Sequence, residues 1–210
     1  MAAIAGLLFL AVVFFVVGKA AVIRNGAQTA ADAAVLAAAQ DARDQLREGW
    51  LGVIDDPLQW QSFVDGDAYI DTLLACRSAT DFAVSNGAEV DECSPIELGF
   101  RVTVHSTKKV GDSIVPGVED QQGRATAVAV IEPRCSFDPP APTQEPEPTR
   151  DPDPTPVPNP TSTPSAEPDE EPEPITGLVC DGEGVSIDPE DPVLPAVSDL
   201  FRIRLTGDDE

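Results

Sequence analysis

Asn25-Gly26-Ala27-Gln28-Thr29-Ala30-Ala31-Asp32-Ala33-Ala34-Val35-Leu36-Ala37-Ala38-Ala39 is the stretch that decides the fold of this 210-residue chain. Alanine has the highest intrinsic helix propensity, and no proline interrupts before Pro57, so a helix is expected to run to about Leu46 or Arg47. Gly49 reads as its C-terminal stop, and Arg47 stands near the end where the helix dipole favours a cation.

Upstream, residues 2–17 carry no charge, and Leu7, Leu8, Phe9, Leu10, Val12, Val13, Phe14, Phe15, Val16 and Val17 form a dense apolar block. Counted through Lys19, whose stem can snorkel, as far as Ile23, the segment has the ~20 residues needed to cross a ~30 Å hydrocarbon core. Residues 1–23 are therefore read as a transmembrane anchor, Arg24 as its interfacial end, and residues 24–48 as an alanine-rich helix continuing from the membrane. A cleaved secretory signal is the competing reading. It expects a basic region ahead of the apolar block and small uncharged residues before the cut, whereas Met1 leads straight into apolar residues and Lys19 sits in the approach.

Ala27, Ala31, Ala34, Ala38 and Ala42 recur at spacings of three and four, which lines small side chains along one helix face and lets another helix approach closely. Helix propensity alone accounts for the same residues, and both explanations stand.

The stretch from residue 18 to residue 46, and above all Asn25-Gly26-Ala27-Gln28-Thr29-Ala30-Ala31-Asp32-Ala33-Ala34, resembles TadE/TadG-like proteins of Flp (tight adherence) pilus assembly, in their actinobacterial branch. The resemblance covers about the first quarter of the chain. It implies a bitopic or pseudopilin-like protein with its N-terminus toward the cytoplasm, a long N-terminal helix leading into an exported domain, and partners in a pilus or secretion machine of the tight adherence type. Family members carry an Arg-Gly-rich stretch ahead of the apolar block, and this sequence begins inside that block. A translation start further upstream is expected. It would also settle a conflict of orientation, since the positive-inside tendency reads Lys19 and Arg24 as cytoplasmic while the cysteines place the following chain outside.

Thirteen basic against 37 acidic residues give a formal charge of -24. Nucleic acid is therefore a poor partner, because affinity for a phosphate backbone comes chiefly from Lys and Arg. The even set Cys76, Cys93, Cys135 and Cys180 reads as two disulfides in an oxidising compartment. Zinc would call for close pairs, whereas the shortest spacing leaves 16 residues between cysteines, and His105 is the single histidine. Three pairings are possible. Nearest-neighbour pairing, Cys76 with Cys93 and Cys135 with Cys180, fits the segment layout, and loops of these lengths correspond to about 3 and about 4 kcal/mol in the chain-entropy model.

An α+β fold is expected: a long N-terminal transmembrane and extended helix, then a small exported domain of one or two helices and a roughly four-stranded antiparallel sheet, interrupted by a disordered Pro-rich acidic insertion. Residues 49–137 form the first part of the domain, 138–175 the insertion, and 176–210 the C-terminal strands that complete it. Asp55-Asp56-Pro57 signals a short helix. A second is expected from about Asp67, with Tyr69, Leu73, Cys76 and Ala83 on its core face, an Arg77 to Asp81 pair, and Asn86-Gly87 as its stop. Phe100-Arg101-Val102-Thr103-Val104-His105-Ser106 alternates with the period of a half-buried strand, residues 124–132 supply its partner, and Gly111, Pro116, Gly117 and Gly123 supply the turn. Val185-Ser186-Ile187 and residues 200–205 read as two further strands of the same sheet. The insertion holds Pro-Thr, Glu-Pro and Asp-Pro repeats and almost no apolar side chain, so it reads as an extended solvated spacer, with recognition by a partner as the lesser reading.

No motif points to catalysis, so no catalytic, cofactor-binding or metal-binding residue is assigned and the protein is read as a non-enzyme. His105 reads as a surface residue beside Arg101. Asp65, Asp67 and Asp71 share the first spacings of a calcium loop but lack its glycine, and Cys76 stands where its bidentate glutamate belongs. Asp169-Glu170-Glu171 and Asp208-Asp209-Glu210 lie in spacer and terminal segments. The function expected is a single-pass membrane component of pilus assembly or a related secretion system, acting by helix packing and protein-protein contact. It would be held in the cell membrane by the lipid bilayer, with its C-terminal domain extracytoplasmic and no small-molecule substrate. A freestanding anchored binding module is the alternative, and a hydrolase with an unrecognised site the third.

Overall fold

A single unbroken helix, α1, spans Ala2–Leu51, 50 residues, or ~75 Å at the α-helical rise. The computed structural model describes residues 2–109, 111, 120–139 and 174–207. Every described side chain among residues 3–22 is exposed, whereas from Ala27 onward one face is buried through Ala30, Ala31, Ala34, Val35, Ala38, Ala42, Leu46 and Trp50. The same helix is thus an apolar stem at one end and a core element at the other.

The helix does not stop at Leu46 or Arg47, and Gly49 is not its terminator. Trp50, fully buried, holds one more turn in place, and the helix closes where Gly52 N–H donates to the carbonyls of Glu48 and Gly49 at 3.1 Å each. Gly49 serves close approach instead: a Cβ there would sit 2.7 Å from Cε1 of Phe63. Asp56 then accepts from Leu58 N–H and caps the 3-10 turn Pro57–Gln59, which leads into α2, Trp60–Val64.

The helix α3 spans Thr72–Ser85, starting later than Asp67 because Asp71 is the residue whose carboxylate accepts from the N–H groups of Leu73 and Leu74. Its core face also differs from the expected one. Ala75, Ala79 and Ala83 are buried, while Tyr69 is 91% and Leu73 79% exposed. Small residues four apart bring α3 against the alanine face of α1, where a leucine would hold the two helices apart. The helix ends at Asn86 and at Gly87, whose φ of +73° suits a glycine stop.

Four antiparallel strands form the main sheet in the order β1-β2-β3-β7: β1 Ala88–Ile96, β2 Gly99–Lys109, β3 Gln122–Pro133 and β7 Phe201–Thr206. The helix α1 packs on β2 and β3 and α3 on β1. Phe100, Val102 and Val104 of β2 are buried, and they stand opposite Ala129, Ala127 and Ala125 of β3. Alanines on β3 let α1 lie close to the sheet. β1 went unread in the sequence because Ala-Glu-Val-Asp-Glu-Cys-Ser-Pro-Ile carries acidic residues and a proline, which an edge strand tolerates since its outer row needs no ladder partner.

The C-terminal strands do not complete one sheet together. β7 joins the main sheet beside β3, but β6, Glu183–Ile187, belongs to a second sheet with β4, Cys135–Phe137, and β5, Ile175–Cys180, in the order β4-β5-β6. Ile175, assigned to the insertion from composition, is the first residue of β5. Asp181 and Gly182, with φ of 51° and 86°, make the two-residue turn between β5 and β6, the Asp-Gly hairpin signal that a sequence reading can use. A short helix α4, Val197–Leu200, precedes β7. The acidic insertion, apart from residues 138, 139, 174 and 175, lies outside the described residues, as do Pro116, Gly117 and the two acidic triplets.

Trp60 joins the second sheet to α1. Its ring centroid lies 5.6 Å from that of Trp50, edge to face, and 4.9 Å from that of Phe137 on β4, while its Nε1 donates to the carbonyls of Ile54 at 3.2 Å and Val53 at 3.3 Å.

Enlarging the alanine face distinguishes the two halves of α1. Ala34→Leu, at a site with no exposure, should destabilise the domain by about 1–3 kcal/mol through overpacking. Ala20→Leu, on the exposed stem, should shift thermal unfolding in detergent little by comparison. Equal effects at the two sites would contradict the packing described.

Candidate functional site

Among the described residues, α1 is the one helix long and apolar enough to cross a membrane, and its apolar window has no buried residue. Within the stem, Gly6 and Gly18 have open space around their Cβ positions. The backbone of β3 meets the helix at Ile23, so close that a Cβ on Gly123 would lie 2.6 Å from the Ile23 carbonyl oxygen. Ile23 therefore marks the junction between stem and domain, at the position where composition ends the apolar segment.

The five stripe residues Ala27, Ala31, Ala34, Ala38 and Ala42 all have zero exposure and belong to the core cluster or its edge. They face the chain's own α3 and sheet, so beyond Ile23 the small-residue face is already covered from within. A polar seam fixes this arrangement. Gln45 of α1 accepts from Asp71 N–H at 2.6 Å and donates to Asp41 Oδ1 at 2.6 Å, and Ser78 of α3 donates to Asp41 Oδ2 at 2.8 Å. Asp41 and Gln45 lie four apart and share a helix face, but no local signal tells that their partners stand on α3.

Both disulfides are formed, Cys76–Cys93 between α3 and β1 and Cys135–Cys180 between β4 and β5, with Cα separations of 5.8 and 4.0 Å. Cys135 and Cys180 stand directly opposite in the strand register. Near this bond Arg134 forms an ion pair with Asp181 and donates through Nη1 to Ser198 O at 3.0 Å, while its backbone N–H reaches Leu200 O at 2.9 Å. The crosslink, the arginine and Trp60 together secure the second sheet to the first.

His105 is more engaged than a free surface residue. On the outer side of β2, its Nδ1 lies 2.7 Å from Asp91 Oδ1 and its Nε2 3.6 Å from Glu89, and Asp91 Oδ2 also takes Arg124 Nη2 at 3.1 Å. The bulge between Val90 and Glu92 of β1 brings Asp91 to this meeting point. The nearby hydroxyls Thr103 and Thr126 bond to one another at 2.9 Å. Lys109 lies 2.9 Å from Asp120 and holds that exposed carboxyl below the usual carboxylate range, by hydrogen bonding and by its charge.

Asp71, as above, caps α3, and Asp65 accepts from Gln61 at 2.8 Å, so two of the three carboxylates with calcium-loop spacing serve local helical structure. No group of three or more metal-ligating side chains converges among the described residues. Two open clefts carry mixed polar linings: one of about 580 Å³ beside Arg134, Cys135, Asp181 and Arg202, and one of about 410 Å³ between Arg24, Asn25 and Gln28 of α1 and Arg124, Ala125 and Thr126 of β3.

Fold and site together define an α+β protein with two disulfides mounted on a stem helix of membrane-spanning length. Compared with known proteins, the chain matches no family model, no curated protein and no solved structure.

Removing the crosslinks should expose their separate weights. Cys76→Ser with Cys93→Ser is expected to cost about 3 kcal/mol, and Cys135→Ser with Cys180→Ser about 4 kcal/mol, since the latter closes the longer loop. Denaturant unfolding of the two double variants checks both the size and the order.

Proposed function

We propose that this protein is a membrane-anchored, extracytoplasmic, non-enzymatic component of a pilus-type assembly or related secretion machine of the tight adherence type. One observation carries the reading: α1 is a single helix whose first part is an exposed apolar stem and whose second part is the core of a disulfide-bonded domain. The resemblance of residues 18–46 to TadE/TadG-like proteins supports the assignment to that class of machine.

The division of α1 also narrows the mode of action. Because the alanine face beyond Ile23 is occupied by α3 and the sheet, packing against another protein's helix falls to the stem, residues 2–23. In a bilayer, helices associate through close van der Waals contact at small residues, and Gly6 and Gly18 with their neighbouring alanines provide such places. The domain would then be presented outside at a fixed angle to the stem, since no hinge interrupts the helix between them.

Exposed apolar side chains on α3, Leu73 at 79% and Phe82 at 52%, favour the second reading, a tethered binding module that uses its domain surface. Replacing residues 2–23 by an unrelated anchor separates the two. Loss of assembly with normal surface display supports action through the stem, and retained assembly shows that the helix is a tether alone.

Topology is open to direct measurement. In intact wall-stripped cells the domain should be cleaved by added protease, and its four cysteines should react with a thiol reagent only after reduction. A protected domain with freely reacting thiols would place it in the cytoplasm and remove the basis of the proposal.

A further inference from the structure

The cations of this strongly acidic chain are unevenly placed. Lys19 and Arg24 flank the end of the apolar stem, and β2 and β3 bring Lys108, Lys109 and Arg124 to the end of the sheet where Gly123 touches Ile23. Five of the 13 basic residues thus gather near the junction of stem and domain in a chain of net charge -24. Composition alone would set such a protein against an anionic membrane surface, and this local distribution places cations where the helix meets the bilayer.

At the junction lies the cleft of about 410 Å³ lined by Arg24, Asn25, Gln28, Arg124, Ala125 and Thr126. Arg24 is exposed and has no carboxylate partner among the described residues. Arg124 is 68% exposed and shares Asp91 with His105, which leaves part of its guanidinium fork facing outward. Among the described residues, Asp91 and Asp32 bear on the cleft's lining, and each is already engaged, Asp91 by Arg124 and Asp32 by the Gln28 amide at 2.9 Å. Two planar guanidinium groups, with the Asn25 amide beside them, form a donor set suited to a tetrahedral phosphate oxyanion.

We propose that the cleft between Arg24 and Arg124 binds the phosphate of an anionic phospholipid headgroup in the leaflet facing the domain. The position selects the ligand's source. Ile23 is the last residue of the apolar segment, so a site formed by the next residue and by the strand touching it lies at headgroup depth. The bound lipid would also fill the angle between stem and sheet and fix the domain's height over the bilayer. This inference rests on the membrane-anchored reading above.

The test uses the full chain reconstituted into nanodiscs of phosphatidylcholine with or without phosphatidylglycerol, followed by native mass spectrometry of the lipid retained after release from the disc. Incorporation into discs reports on anchoring alone, so a chain that stays outside them sinks the anchored reading, whereas one that enters without headgroup preference sinks only the cleft. The expected result is preferential retention of phosphatidylglycerol, reduced about fivefold by Arg24→Gln and again by Arg124→Gln, on the usual weight of one juxtamembrane cation. Arg24→Lys should restore part of the preference. Arg24 is an exposed helical position, so its substitution tests the cleft even if Arg124→Gln disturbs the Asp91 cluster. Equal retention of both lipids, or a preference indifferent to Arg24→Gln, overturns the proposal. Displacement of the lipid by excess inorganic phosphate, with the same arginine dependence, would assign the cleft to a soluble anion and overturn it as well.

Discussion

Close approach between alanine faces is the constraint on which the rest of this structure depends. Ala31, Ala34, Ala38 and Ala42 of α1 meet Ala75, Ala79 and Ala83 of α3 and the alanine-bearing strand β3. Side chains this small supply little apolar area each, so their contribution comes from dense backbone-to-backbone contact and not from bulky burial. The larger core residues, Trp50, Trp60, Phe100, Phe201, Leu178 and Ile187, fill the sheets and the far end of α1. A helix that is at once stem and core element cannot move against its domain without opening that contact, and this couples stem and domain mechanically.

The crosslinks complement such a core. One joins α3 to the edge strand β1 and the other closes the base of β4 and β5, where only short strands are available to hold the second sheet. A two-stranded hairpin such as β5-β6 is marginal by itself, and β4 adds only three residues to it. Here the three strands are also held by Trp60 against Phe137 and by Arg134, which reaches Asp181 on one side and Ser198 on the other. The disulfide between Cys135 and Cys180 brings together the two ends of the chain that flank the acidic insertion, so residues before and after it belong to one folded unit.

Charge follows the same division as the helix. Carboxylates dominate the domain, yet those with specific roles are few: Asp56 and Asp71 cap helices, Asp41 joins α1 to α3, and Asp91 gathers His105 and Arg124. Of the 13 cations that the chain has, five stand near the stem junction. Cations at the stem junction of an otherwise acidic domain would suit the proposed placement of that junction at an anionic bilayer surface.

What the sequence by itself determined is what local chemistry controls: the apolar stem and its length, the helical character of the alanine run, the two middle strands with their alternation, the caps at Asp56 and Asn86-Gly87, and the number of disulfides. Each depends on residues near in the chain. Tertiary structure decided the rest. Gly49 looked like a stop because glycine often ends helices, but Phe63 from a later segment required its missing side chain and Trp50 carried the helix on. Tyr69 and Leu73 looked like core by hydrophobicity, but the narrow gap to α1 selected alanines. β1 carried no strand signal because its acidic residues and proline are unsuited to a central strand, yet it was needed only at an edge. The split of β6 and β7 into separate sheets, and the lining of one cleft by both Arg24 and Arg124, follow from contacts between distant segments, for which one-dimensional periodicity carries no information.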